Sequence, residues 1–214
     1  MGLDAMKPGA IAPALLLMLA ACASGPQGGA AQAVSDAAPD TVIDEAAVME
    51  RSAQVAQSFQ GKLQAQLAAA LQAGGPVQAI GVCKQAAPKI AAEESAASGA
   101  QVSRVAERNR NPAGGLSEEL RPHYAKLAAA PMVDGKPAAT LWRSGTGEGQ
   151  RINVLRAIPM QDKPCSTCHG TNVSPDIAEL LHALYPADRA TGFAPGDMRG
   201  AMLVSWPASA FEVK

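Results

Sequence analysis

Residues 140–160 read TLWRSGTGEGQRINVLRAIPM. Two strand-like runs, Thr140 to Ser144 and Arg151 to Met160, flank the glycine-rich joint Gly145-Thr146-Gly147-Glu148-Gly149. Apolar and β-branched residues bounded by such a joint read as antiparallel neighbours in a sheet. Working outward, Met198 to Trp206 reads as a final strand and Gln101 to Val105 as a short earlier one. The chain ahead of them is helical in pattern. Thr41 to Ala73 has long Ala/Gln/Glu runs and no proline, with Asp40 as its expected N-cap and Gly74-Gly75 as its stop. Pro76 suits the first turn of a second helix. There Ile80, Cys83, Ala87 and Ile90 form one apolar stripe, with a kink expected at Pro88. Arg108 to Gly115 reads as a polar loop, and Ser117-Glu118-Glu119 starts a helix to about Ala130. Ser174-Pro175 starts another through Leu184, ended by Tyr185-Pro186. Helices first, then an antiparallel sheet with helical insertions, predict an α+β domain.

Composition suits one domain and narrows its partners. The formal charge is −1, from 18 basic and 19 acidic residues with no basic tract, so nucleic acid is not an expected partner. Aromatic residues make up only 3%, thin for a core of this size, and a large buried apolar cofactor would compensate. The N-terminus supplies an address. Lys7 precedes an apolar run from Ala10 to Ala21 that closes on Leu19-Ala20-Ala21-Cys22. That is the shape of a secretory signal peptide, too short for a permanent membrane helix. Cys22 after Leu-Ala-Ala resembles a bacterial lipobox, in which the cysteine carries lipid; ordinary cleavage nearby is the alternative. Asp4 is out of place in a basic leader and leaves Met6 as an alternative start to Met1. Ala23 after the cysteine favours the outer membrane. Residues 1–22 are therefore read as a lipoprotein-type signal peptide. Residues 23–39, rich in Gly, Ala, Gln, Ser and Pro, are a flexible tether, and 40–214 are the folded domain. The expected location is the periplasm, on a lipid anchor.

Cys165-Ser166-Thr167-Cys168-His169 names its own chemistry. Cys-x-x-Cys-His is the attachment pattern of c-type haem. The motif reads as a loop after the second strand; its two thiols reach the two vinyl groups of one porphyrin edge, and the histidine beside them ligates the iron from below. A zinc site would need two further ligands at zinc-like spacing, and no second pair exists. A dithiol oxidoreductase needs no histidine and would sit on a βαβ pattern. The expected cofactor is one covalent haem c on Cys165 and Cys168, with His169 on the metal. Export supports it, because c-type haem is attached outside the cytoplasm.

The sixth ligand is open on spacing alone. With Cys22, Cys165 and Cys168 assigned, Cys83 is left over, and an odd cysteine in an exported chain is a ligating or reactive thiol or an inert core residue. Met132, Met160, Met198 and Met202 are rivals, and His123 and His182 are the other imidazoles. Arg104, Arg108 and Arg110 form either a propionate-binding cluster or a solvated basic loop. Asp197 and Arg199 read as a structural pair near the last strand.

Three further blocks carry a resemblance. They are Ala79 to Pro88, AIGVCKQAAP; Arg104 with Arg108-Asn109-Arg110-Asn111-Pro112; and Tyr185 to Phe193, YPADRATGF, with Gly196-Asp197-Met198-Arg199-Gly200-Ala201. With the haem motif they resemble the single-haem, PAS-like c-type family, found alone in exported proteins and as a sensor module. The resemblance spans roughly Ala79 to Val204. It implies a PAS-like antiparallel sheet and an axial pair of His169 and Cys83. The chain departs from the family pattern at Gly114-Gly115, where a second Asn and a Pro-Asp pair are usual. Two classes of function follow: a redox or gas sensor in which the thiolate is released on reduction, and an electron carrier with a Met or His sixth ligand. A haem enzyme is set aside, since no distal acid–base residue is identifiable. With no transmitter segment after Lys214, a sensor would need a separate redox or signalling partner.

Overall fold

The computed structural model describes residues 42–212. The expected signal peptide and tether, Cys22, both candidate starts and the expected cap Asp40 lie outside these residues. The first helix, α1 (Glu45–Ser98), starts a few residues later than expected, behind Asp44, whose carboxylate accepts from the Ala47 N–H at 3.0 Å. This side-chain cap satisfies a donor that the first turn leaves open. Gly74 and Gly75 break α1 into two limbs where the glycine pair predicts. Gly75 has φ +68, a backbone shape that costs other residues a Cβ clash. Around Pro88 the dihedrals stay helical, so the expected kink leaves no break there. Gly99, with φ +79, closes α1 by donating to the Ser95 carbonyl.

The two limbs lie side by side. Ser58 donates to Glu94 at 2.7 Å and Lys62 pairs with the same carboxylate oxygen at 2.7 Å. Beyond α1 come β1 (Gln101–Val105), α2 (Leu120–Ala129), the short strands β2 (Met132–Val133) and β3 (Lys136–Pro137), then β4 (Ala139–Ser144) and β5 (Arg151–Pro159). The chain ends with α3 (Cys165–His169), α4 (Pro175–Leu184) and β6 (Met198–Pro207). Strands β1, β6, β5 and β4 form one antiparallel sheet in that order. The α+β expectation therefore holds. The β2–β3 hairpin went unforeseen although Asp134-Gly135, both at positive φ, is the turn pair such a hairpin wants. Helix α2 begins three residues later than the sequence suggests, because the Ser117 carbonyl closes a turn on the Leu120 N–H before it.

Alternation along the strands divides the core. Val102, Ile152, Val154, Met202, Val204 and Trp206 face α1, where Val48, Val55, Phe59, Leu63 and Ile90 cover them. Val105, Leu155, Ala157 and Ala201 face the other way, under Leu120, Tyr124 and Leu127 of α2. Ser52, fully buried, takes the Trp206 indole N–H at 2.8 Å, so that ring is packed without an orphaned donor. Two smaller clusters extend the core past the sheet. Ile80 meets Ile177 and Leu181 of α4, and Met160 meets Ala190 and Phe193. Between them lies α3.

Candidate functional site

The Cys-x-x-Cys-His motif is not a loop, as the sequence suggests, but the five-residue helix α3. So short a helix gains little from its own hydrogen bonds, and its neighbours hold it. The Cys168 carbonyl accepts from Arg110 at 2.7 Å, that of His169 from the Phe193 N–H at 3.0 Å, and that of Gly170 from the Gly192 N–H at 2.8 Å. Gly170 ends the helix by donating to the Ser166 carbonyl at 2.9 Å, and a Cβ there would sit 2.5 Å from that oxygen. The strap of residues 188–193 is itself tied down. Asp188 pairs with Arg110 at 3.1 Å and accepts from the Ala190 N–H at 2.8 Å.

His169 is thereby oriented. Its Nδ1 lies 2.7 Å from the Ala190 carbonyl oxygen. Nδ1 meets an acceptor in this carbonyl and a donor in Arg199 Nε at 3.2 Å, and the shorter contact assigns the proton to Nδ1, which leaves the Nε2 lone pair for a metal. Burial, with Arg199, Arg110 and Arg104 nearby, holds the imidazole well below its ordinary pKa and so neutral. A neutral imidazole with one locked nitrogen is the form that binds metal.

Cys83, Cys165 and Cys168 are all free thiols and all half-buried. The apolar stripe of the second limb brings Cys83 to the motif. Ile80, one turn earlier, packs with Ile177 and Leu181 of α4, and Cys168 lies against the same cluster. Cys83 is close enough to Cys165 and Cys168 for their charges to interact. Burial pushes the Cys83 thiol up, Arg104 and Arg110 pull it partly back, and Cys165 adds to the rise. Burial likewise raises Cys168. The rivals scatter. Met132 is exposed, Met198 lies in the core on the α2 face, His123 stacks on Trp142 at 3.9 Å, and His182 points to solvent on α4. Met202 is packed in the α1-facing core and Met160 beside Cys165.

The three expected arginines have separate settings. Arg110 is engaged by Asp188, Cys168 and Ala190. Arg108 lies flat on Phe193, 3.9 Å from the ring centroid, and reaches the Arg189 carbonyl at 3.4 Å. Arg104 faces Cys83 and Cys165 from β1. Asp197 and Arg199 do not pair. Asp197 accepts from the Ala194 N–H at 2.7 Å, whereas Arg199 turns to His169 and the Arg108 carbonyl. The register explains this. Ile158 pairs with Gly200 and Pro159 with Met198, so Arg199 is the extra residue of a bulge, a device that re-aims a side chain. Burial, with Arg104 and Arg110 adding repulsion, pulls Arg199 down to about 9. Sequence reasoning missed Arg199 and Asp188 as site residues. Both lay within the quoted YPADRATGF and GDMRGA blocks, but no pattern there reveals that Asp188 reaches Arg110 or that a bulge turns Arg199.

Among the described residues, no three or more His, Cys, Asp and Glu side chains gather as an ion-holding set. No described helix is long and apolar enough to cross a membrane. Comparison with known proteins then places the chain. It belongs to the Tll0287-like family, whose model matches residues 35–207. Among solved structures it is similar in fold to the cyanobacterial haem protein Tll0287, with a TM-score of 0.54 and 24% identity. That match covers 79% of this chain and 97% of the other. No curated protein matches.

Proposed function

We propose, from membership of the Tll0287-like family and from the site above, that this chain is an exported c-type haem protein acting in redox or gas sensing. One haem would be held covalently by Cys165 and Cys168, with His169 and Cys83 as its axial ligands. The observation that carries the reading is the locked imidazole. Nδ1 is spent on Ala190, Nε2 is free, and Cys83 stands within charge range of both motif cysteines. The donor set fits the group. Two half-buried thiols lie one turn apart, and Ile80, Ile177, Leu181, Met160 and Phe193 supply apolar walls. The antiparallel sheet with α1 on one face supports reading the domain as PAS-like.

Bound haem would supply a one-electron iron couple. His169 would hold it through Nε2, its far nitrogen being fixed on the Ala190 carbonyl. Cys83 would be the weaker partner, because burial favours its neutral form and it would hold a negative charge only against a strongly positive centre. A ligand lost on reduction is the basis of a sensor.

The test is Cys83→Ala in the purified protein. The covalent haem should remain, the oxidised spectrum should lose its thiolate features and become high-spin or newly ligated, and the potential should rise, because an anionic donor stabilises the oxidised state. An unchanged spectrum and potential would leave Cys83 a core residue. Met160 or Met202 would then be the candidate sixth ligand, and an electron carrier the better reading.

A further inference from the structure

Arg104 and Arg156 share a cross-strand row on the sheet. Arg104 of β1 pairs with Met202 of β6, and Met202 pairs in turn with Arg156 of β5. Register partners in an antiparallel sheet point to one face. Two positions along, the row Val102–Val204–Val154 belongs to the core under α1, so both guanidinium groups leave the sheet on the side where Cys83 stands. They sit two strand spacings apart, about 10 Å between backbones. Opposite Arg156 on the next strand is Ala139, which takes up little of the space beside it.

Both side chains are partly withdrawn from water, and neither has a carboxylate partner among the described residues. Burial pulls the pKa of each downward. Among the described residues neither makes a hydrogen bond or an ion pair, while the neighbouring arginines are engaged: Arg110 with Asp188, Arg108 with the Arg189 carbonyl, Arg151 with Ser205. A guanidinium partly withdrawn from water without a carboxylate partner is unfavourable, so two on one row suit two negative groups. Arg104 acts on both Cys83 and Cys165, which sets its head at the site rather than in bulk water.

We infer that Arg104 and Arg156 form a paired seat for the two propionate carboxylates of the haem, an inference that rests on the c-type reading above. Arg156 was in no sequence motif. Arg108 and Arg110, expected in that role, instead hold the strap around α3. Each guanidinium would pair with a carboxylate, keep it ionised and put a positive charge near the metal.

The experiment uses the whole haem-loaded protein. Arg156→Met and Arg104→Met should each keep covalent haem yet lower the midpoint potential, since a nearby positive charge favours the reduced centre. At effective dielectrics typical of such sites, one charge at about 10 Å shifts the reduced-to-oxidised ratio roughly tenfold, about 59 mV for a one-electron couple. The propionate bending band in resonance Raman should move in the same variants. Arg156→Lys should retain most of the potential, and Lys89→Met, far out on an exposed face of α1, should leave it unchanged. Arg156→Gln serves as the neutral variant if Arg156→Met does not fold by circular dichroism. A wild-type potential and Raman band in the neutral Arg156 variant overturn the seat while leaving the haem reading intact. Absence of covalent haem from the wild type overturns both.

Discussion

Asp188→Ala is the most informative single change outside the proposed metal ligands. Its carboxylate pairs with Arg110 at 3.1 Å, with 13% of the arginine side chain and 9% of the aspartate side chain exposed. Removing one member of a buried pair leaves the other charge uncompensated, at about 3–5 kcal/mol. Arg110 keeps the Cys168 carbonyl at 2.7 Å, which favours the lower end of that range. The lost bond from the Ala190 N–H, 2.8 Å in the structure, adds about 1 kcal/mol. A total near 4 kcal/mol lowers the melting temperature by roughly 10 °C for a domain of this size. Asp188→Asn still accepts from Ala190 and should lose about 1 kcal/mol less. Arg110→Met with Asp188→Leu removes both charges together and should cost less than Asp188→Ala alone, because no charge is stranded. Urea unfolding of the wild type, Arg110→Met, Asp188→Leu and the double variant closes the cycle. A loss under about 1 kcal/mol for Asp188→Ala, or additive effects in the double variant, refutes the view that this pair clamps α3.

Changing Cys165 and Cys168 together to Ala should abolish haem that survives acid–acetone extraction; extraction of haem from the wild type would contradict thioether attachment. Cys22→Ser should abolish fatty-acid labelling and release the protein to the soluble periplasm, whereas equal labelling of both forms would remove the anchor from the account. Glu94 offers a pH test. Burial pushes its carboxyl up, but the Lys62 and Ser58 hydrogen bonds and the Lys62 charge outweigh this, leaving it below its ordinary 4.5. A lowered folded value means that this contribution is present above the unfolded pKa and lost as pH falls through the folded one. The urea midpoint of Glu94→Gln should therefore fall less steeply below about pH 5 than that of the wild type; parallel curves would show that the limb-to-limb bond carries none of the acid sensitivity.

The elements legible in the sequence were those with a local cause. Gly74-Gly75 followed by Pro76 announced the break in α1, because backbone freedom and a missing N–H act on the spot. The alternation of β5 and the glycine joint before it fixed the central strands. The start of α1 slipped to Asp44, since several acidic residues there compete for one cap and only packing chooses among them. Helix α3 was read as a loop for the opposite reason: its helicity comes from Arg110, Gly192 and Phe193, none of them within its own sequence window. The same holds for the site. The motif residues spoke for themselves, and Cys83 lay on a readable stripe. Arg199 was mispaired because a bulge is a property of two strands at once, and Arg156 became visible only when β5, β6 and β1 were laid in register.

The dependence of α3 on distant partners also bears on the order of events in maturation. In a chain not yet folded, residues 165–169 are too few to hold a helix, so both thiols are presented on a pliable peptide. Once the strap of residues 188–193 and Arg110 close on them, the same sulfurs are half-covered and their motif is gripped through three consecutive carbonyls. An enzyme that modified these cysteines would therefore find them more open before folding is complete than after it.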